Sequence, residues 1–447
     1  MSSPDKSRLA KVLVRCLVGL CVCLVLSVVT VWGISIWRAQ LAQGVEQKIA
    51  DIRAAGYPTN LREWDAYYKV PENDTTELWM AALGKINQGP LSGPKFDADR
   101  KSIEKSGIPP LNMPWPKMDT AKALLGRCRN SLEKMHEAAK KGGRARFRRE
   151  SELGIEMKLP EVEQLRHGVW LLTLEAEVRA RENDVQGVVV SLHSIFMAAK
   201  SLENDPLLVS SLVRSSFFLV LGKHLEKFVP RVEFTDEELR QLQQDLRDSN
   251  QENTLGHVLA GERALGLATI QDSYRKTSGL RPLIDQISIE DQRCYLQFFD
   301  AWIDAAGQDW PTALERAELA GTDLAALIRR PENKIRFVQT AILALATEKA
   351  FSAIGRQLAL CRVADAGLAA ELYRRTNGQF PQTLDELVPD YLESVPRDPF
   401  FRGPIRYRLD DTECVLYSIG ADRIDHQGVE QKNPNDEISF RLPIQRK

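Results

Sequence analysis

The sequence predicts a mainly α protein with three parts: an N-terminal membrane-spanning helix, a large helical bundle or helical-hairpin domain, and a small C-terminal α+β module with an antiparallel sheet. Three observations carry this. Residues 16–37 contain no charged side chain. From residue 118 to 348 apolar positions recur at helical spacing between proline and glycine breaks. Near residues 405–419 the spacing changes to the alternation of strands.

Taken in order, the chain divides at 1–15, 16–37, 38–117, 118–348 and 349–447. At 1.5 Å per residue the uncharged run gives roughly 33 Å of helix, enough to cross a bilayer core. Lys6, Arg8, Lys11 and Arg15 precede it, a basic flank that predicts an N-terminal tail, 1–15, in the cytoplasm and the bulk of the chain outside it, on a single-pass cytoplasmic (inner) membrane anchor. The run is longer than the apolar part of a signal peptide, and Ser35-Ile36-Trp37 is a poor cleavage site, so the anchor is expected to stay. The lipid bilayer is then the first partner, through residues 16–37.

Beyond the membrane, Val45, Ile49 and Ile52 fall on one face of a stalk helix that Gly56-Tyr57-Pro58 ends. Six prolines between Gly89 and Pro116 predict a linker without helix. In the helical region, Thr235 and Glu238 form a capping-box pattern, and Asn183-Asp184 separates two amphipathic stretches as in a helical hairpin. The apolar segment from Leu207 contains Arg214 near its centre, which favours a core helix over a second membrane span; Glu175, Glu177 and Glu262 are candidate partners for that arginine. Six cations lie in the run from Lys140 to Arg149. A solvated loop between helices is the expectation there, with lipid headgroups or an acidic partner as the functional alternative.

Composition narrows function only by exclusion. The net charge of −1 supplies no basic field for nucleic acid. Phosphate-binding glycine loops, HExxH and GxSxG are absent from the sequence, and His193-Ser194 and His257 with Glu262 are the only pairs that suggest catalysis, so no enzyme activity is predicted. Cys128, Cys294, Cys361 and Cys414 have no metal-type spacing and are expected as buried thiols.

The best-specified stretch runs from Asp365 to Phe440. A helix bearing Leu368 and Leu372 ends at Asn377-Gly378. Thr383 and Glu386 form a second capping box before a helix expected over about Leu384 to Leu392, Asp398-Pro399-Phe400 follows, and two strands lead to Tyr417-Ser418-Ile419-Gly420-Ala421-Asp422. A third strand is expected near Ile438–Leu442.

This order resembles the soluble part of the major pseudopilin of type II secretion systems over about residues 349–442. It carries NGxFP, a DPF where the family has DPW, and YSxGxD. The resemblance implies a long helix, expected here from about Asn333 to Arg375, packed on a small sheet. It also implies calcium in the loop after YSxGxD, with Asp422 and Asp425 as ligands and Asp436 as a third. Calcium takes six to eight oxygen ligands, usually including several carboxylates, which fits acidic residues on a loop. Arg423 replaces the family's glycine, and the N-terminus lacks the FTLxE start of a filament subunit. The functional expectation is therefore a non-enzymatic, membrane-anchored scaffold or interaction protein of the cell envelope, related to a secretion or pilus-like apparatus. The alternative is a helical-repeat module binding a peptide or envelope polymer; a hydrolase ranks third.

Overall fold

The computed structural model describes residues 3–84, 91–249, 254–276, 281–344, 347–429 and 438–444. The chain opens with α1 (Ser3–Ala54), in which the apolar stretch and the stalk form one continuous helix. From Leu17 to Trp37 the large apolar side chains described are exposed, whereas Leu41, Val45 and Ile52 are buried. Gly56, at φ +83°, ends the run by taking a left-handed conformation that side chains resist.

The body begins with α2 (Leu61–Tyr67), α3 (Thr76–Leu83), α4 (Pro94–Ser106), α5 (Met118–Arg127) and α6 (Arg129–Lys140). Next come α7 (Pro160–Arg181), α8 (Val185–Lys200), α9 (Leu208–Phe228) and α10 (Asp236–Ser249). The hairpin of α7 and α8 turns at Asn183, φ +59°, and Asp184 caps α8 by accepting from Gly187 N. The expected capping box starts α10, with Thr235 N donating to Glu238 and Glu238 N to Thr235 Oγ1.

A second hairpin pairs α11 (Thr254–Lys276) with α12 (Arg281–Ala306), and α13 (Trp310–Arg329) returns along α12. Two short helices, α14 (Asn333–Arg336) and α15 (Val338–Ala344), lead to α16 (Thr347–Asn377). The sheet is antiparallel in the order β1 (Arg406–Leu409), β2 (Glu413–Ser418), β3 (Ile438–Pro443). Leu409 stands opposite Cys414, and Ser418 opposite Ile438. One face of α16 packs on β2 and β3, with Gly367 against the Phe440 ring, while α9, α10 and α13 cover the helix from other sides. One hydrophobic core consequently runs from Val45 in the stalk to Leu442 in the sheet.

Several expectations change. Residues 94–106 form α4 despite the prolines, because Pro94 occupies the first turn, where its missing N–H costs nothing, and no further proline follows until Pro109. The helix expected from Asn333 to Arg375 is interrupted, Phe337 leaving helical geometry at φ −122°, ψ 38°. The helix expected over Leu384–Leu392 shrinks to a 3-10 turn at Leu384–Leu387, since Pro389 disfavours helix at Val388.

The cationic run is a connection between helices as expected, with Lys140, Lys141 and Arg148 exposed, but it is only partly solvated. Phe147 and Arg149 are buried, and Arg149 bonds Asp205 at 2.5 Å and Glu161 at 3.2 Å. Arg214 is buried in α9 as expected, with its guanidinium over the Phe218 ring and Nη1 3.5 Å from Thr254 Oγ1. Burial pulls its pKa down. Cys128, Cys294, Cys361 and Cys414 are buried thiols, and desolvation pushes the Cys128 thiol to about 11 and the others to about 12.

Candidate functional site

The junction where α1 leaves its exposed apolar stretch and enters the body forms a surface cleft. Leu41, Val45 and Ile52 are spaced by four and seven residues, so they share a stripe against α12 and its neighbours. Polar contacts flank that stripe. Arg38 donates twice to Gln286 Oε1, at 2.9 and 2.6 Å. Lys48 sits 2.5 Å from Asp300, which also receives Arg263 at 2.7 Å. Because 38 meets 286 and 48 meets 300, the two helices run side by side in the same direction.

Between them lies an open cleft of about 660 Å³, lined by Trp37, Leu41, Val45 and Leu296 and by the charged Lys48, Arg293, Asp300 and Asp304. Apolar walls with charges of both signs suit attachment of an amphiphile or another polypeptide. The stalk periodicity in the sequence pointed to one side of this site. Its α12 side carried no local signal, since Gln286 and Asp300 are unremarkable polar positions on an amphipathic helix.

A second cavity, about 450 Å³, lies between α5, α6 and α7 and is lined in part by His136, Glu175 and Arg179. His136 Nδ1 is 2.7 Å from Ser194 Oγ and Nε2 is 2.9 Å from Glu175 Oε2. Arg179 and Ser191 also bond that carboxylate, whose pKa is lowered because these partners outweigh its desolvation. The order serine, histidine, carboxylate is that of an acyl-transfer triad. Ser194, however, is buried beneath the imidazole, donates to Val190 O at 2.8 Å, and is not part of the cavity wall. A nucleophile must reach its carbonyl, so this geometry acts as a clamp between α6, α7 and α8.

The pairs singled out in the sequence are separated. His193 bonds Asp245 at 2.8 Å while Ser194 turns to His136, as neighbours about 100° apart on a helix must. His257 stacks on Tyr67 with ring centroids 4.4 Å apart, and Glu262, half-buried, accepts from Leu208 N instead.

Asp422 and Asp425 share one loop; Asp436 lies outside the described residues. Asp422 accepts from Ile424 N at 3.0 Å and faces His426 Nε2 at 3.0 Å. Asp425 accepts from Tyr417 OH at 3.2 Å and Gln427 N at 2.9 Å, with Arg406 3.7 Å away. Both carboxylates are thus engaged by protein donors, which an ion would have to replace, and Arg423 points away to Glu318. Asp398 has a different role: buried, it accepts from Phe400 N, Ser418 Oγ and Ile419 N at 2.8 to 2.9 Å. It thereby ties the DPF turn to the end of β2, although desolvation raises its pKa.

The chain matches no family model, no curated protein and no solved structure. Its own geometry therefore carries the functional reading.

Proposed function

We propose that this chain is a single-pass membrane-anchored envelope protein whose body, outside the cytoplasm, serves as a scaffold for other envelope components. The observation that carries the reading is α1. Its first half exposes Leu24, Val25, Val28, Val29, Val31 and Trp32, while its second half is part of the protein core. Exposing so many large apolar groups to water costs on the order of 25 cal/mol per Å², a cost that a bilayer removes. A rigid continuation from anchor to core fixes the body's orientation on the membrane, as suits a scaffold. The helix packed on a three-stranded sheet, and the Asp398 tie between DPF and YSxG, support kinship with pseudopilins and so with a type II secretion or pilus-like apparatus.

Cross-linking in intact membranes, followed by purification of the full chain, tests this. Envelope proteins should co-purify reproducibly. Recovery of the chain alone would sink the scaffold reading, and recovery of partners that include no secretion or pilus component would sink the kinship.

Calcium is a separate proposal for the Asp422 and Asp425 loop. On this reading millimolar calcium raises the melting temperature of the wild type and not that of an Asp422→Ala, Asp425→Ala variant. Equal curves with and without calcium would remove it.

A further inference from the structure

The segment between α13 and α16 has an unusual surface. Ile335, Val338 and Ile342 lie at i, i+3 and i+7, and are 73%, 39% and 67% exposed. Phe337, Thr340 and Ala344 repeat the same spacing on the buried side. Leu283, near the start of α12, is 52% exposed. Among these apolar groups stand the exposed cations Arg329, Arg330 and Lys334, which outnumber the exposed acids Glu332 and Asp285 of the same patch. Leaving this stripe in water is costly, and its basic surround suits an anionic surface.

What covers the stripe follows from where it is held. Arg38, the first charged residue after the apolar stretch of α1, bonds Gln286; Gln286 donates to Glu290 at 3.0 Å; Glu290 receives Arg336 at 2.6 Å. Next to Glu290, Asp291 is buried and accepts from Gln339 N, Thr340 N, Thr340 Oγ1 and Tyr274 OH. Two adjacent acids of α12 therefore clamp α14 and α15 about 6 Å along the helix from Gln286, one turn from the level at which α1 becomes polar. An interfacial helix buries its apolar side roughly 5–10 Å into the headgroup boundary. Because α12 runs in the same direction as α1, the clamp lies on the body side of Arg38, within a headgroup layer roughly 5–7 Å thick on each face, a zone that suits the stripe's apolar residues and cations.

We propose that α14 and α15, with Leu283, form a second membrane contact, an apolar and basic strap lying on the bilayer surface beside the anchor. Ile335, Val338, Ile342 and Leu283 enter the headgroup boundary while Arg329, Arg330 and Lys334 meet lipid phosphates. The strap rests on the reading of α1 as a bilayer-spanning helix, and it prevents the body from pivoting about that helix.

The test uses the full chain with Cys16, Cys21 and Cys23 replaced by alanine, reconstituted in vesicles of phosphatidylethanolamine and phosphatidylglycerol. An environment-sensitive fluorophore is attached at Ile335→Cys or Ile342→Cys. Val28→Cys in the anchor and Leu319→Cys serve as controls. Leu319 is an exposed residue of α13 close to Ala317, whose carbonyl accepts from Trp302, about 24 Å along α12 from Gln286. Spin-labelled lipids carry the quencher either at the top or at the end of the acyl chain.

Labels at Ile335 and Ile342 should lose emission to the shallow quencher and keep it with the deep one. The label at Val28 should lose emission to the deep quencher, and the one at Leu319 to neither. If Val28 is quenched while Ile335 and Ile342 behave like Leu319, the strap is overturned and the anchor stands; the stripe then faces solvent or a protein partner. If Val28 is also untouched, the anchor falls and the strap with it.

Discussion

Among the described residues two helices are long and apolar enough to cross a membrane, α1 and α9, and they behave differently. The apolar half of α1 has none of its length inside the protein, whereas half of α9 is buried. Its interior side includes Arg214, Ser210, Ser211 and Ser215, with Ser215 bonding Gln357 of α16 at 2.7 Å. Gly222 lies directly on Leu360. The difference teaches that apolar length alone does not separate a membrane helix from a core helix. Polar groups with partners inside the protein mark α9 as core, and the exposure of the large apolar side chains described in α1 makes it the candidate for the bilayer.

The comparison can be broken most forcefully through the body's buried charges, which the apolar stretch of α1 lacks. Arg149→Ala leaves Asp205 and Glu161 without their cation in a site closed to water, and should cost about 3–5 kcal/mol. Chemical denaturation of the purified chain measures it, and a loss under about 1 kcal/mol would mean that the cluster is better solvated than its geometry indicates.

A paired glycine substitution sharpens the contrast directly. A Cβ on Gly222 would meet Leu360 at 2.5 Å, whereas one on Gly33 meets nothing within 4 Å. Gly222→Ala is therefore expected to lose about 1–3 kcal/mol by overpacking, and Gly33→Ala to lose none. Thermal melting of the two variants side by side decides; equal losses would remove the distinction between a packed and an unpacked helix.

The smallest effect concerns pH. Burial lowers the pKa of His224 on α9 below its ordinary 6.5, despite Glu177 at 3.6 Å. A depressed folded pKa means that the unfolded chain takes the proton first, so this contribution is complete above about 6.5 and is lost as pH falls toward the folded value. His224→Gln should flatten the acid side of the stability curve, read from melting temperature between neutral pH and about pH 5. An unchanged slope would assign the acid sensitivity to other groups.

Much of the architecture was legible because local rules agreed with it. The capping box at Thr235, the turn at Asn183-Asp184 and the alternation from Ile405 to Ile419 each specify an element without reference to distant residues. What was not legible depended on tertiary partners. Arg149 reads as one more cation in a basic run until Asp205, more than fifty residues away, closes on it. Asp291 and Glu290 are ordinary acids on a helix until the fold brings Thr340 and Arg336 to them. The same limit applies to the sites: the pseudopilin resemblance sets Asp422 and Asp425 together, but their engagement by His426, Tyr417 and Gln427 could not be read from the sequence.

The central claim is that α1 is one helix in two environments, a bilayer first and the protein core second. Single cysteines along α1, tested in intact membranes with a membrane-impermeant thiol reagent, examine it most directly. Leu24, Val28 and Val31 positions should be unreactive although the protein leaves them exposed, Gln47 and Asp51 positions reactive, and Val45 and Ile52 positions protected again. Reaction at Leu24, Val28 and Val31 as strong as at Gln47 would show that water, not lipid, surrounds the first half of the helix, and would contradict the account.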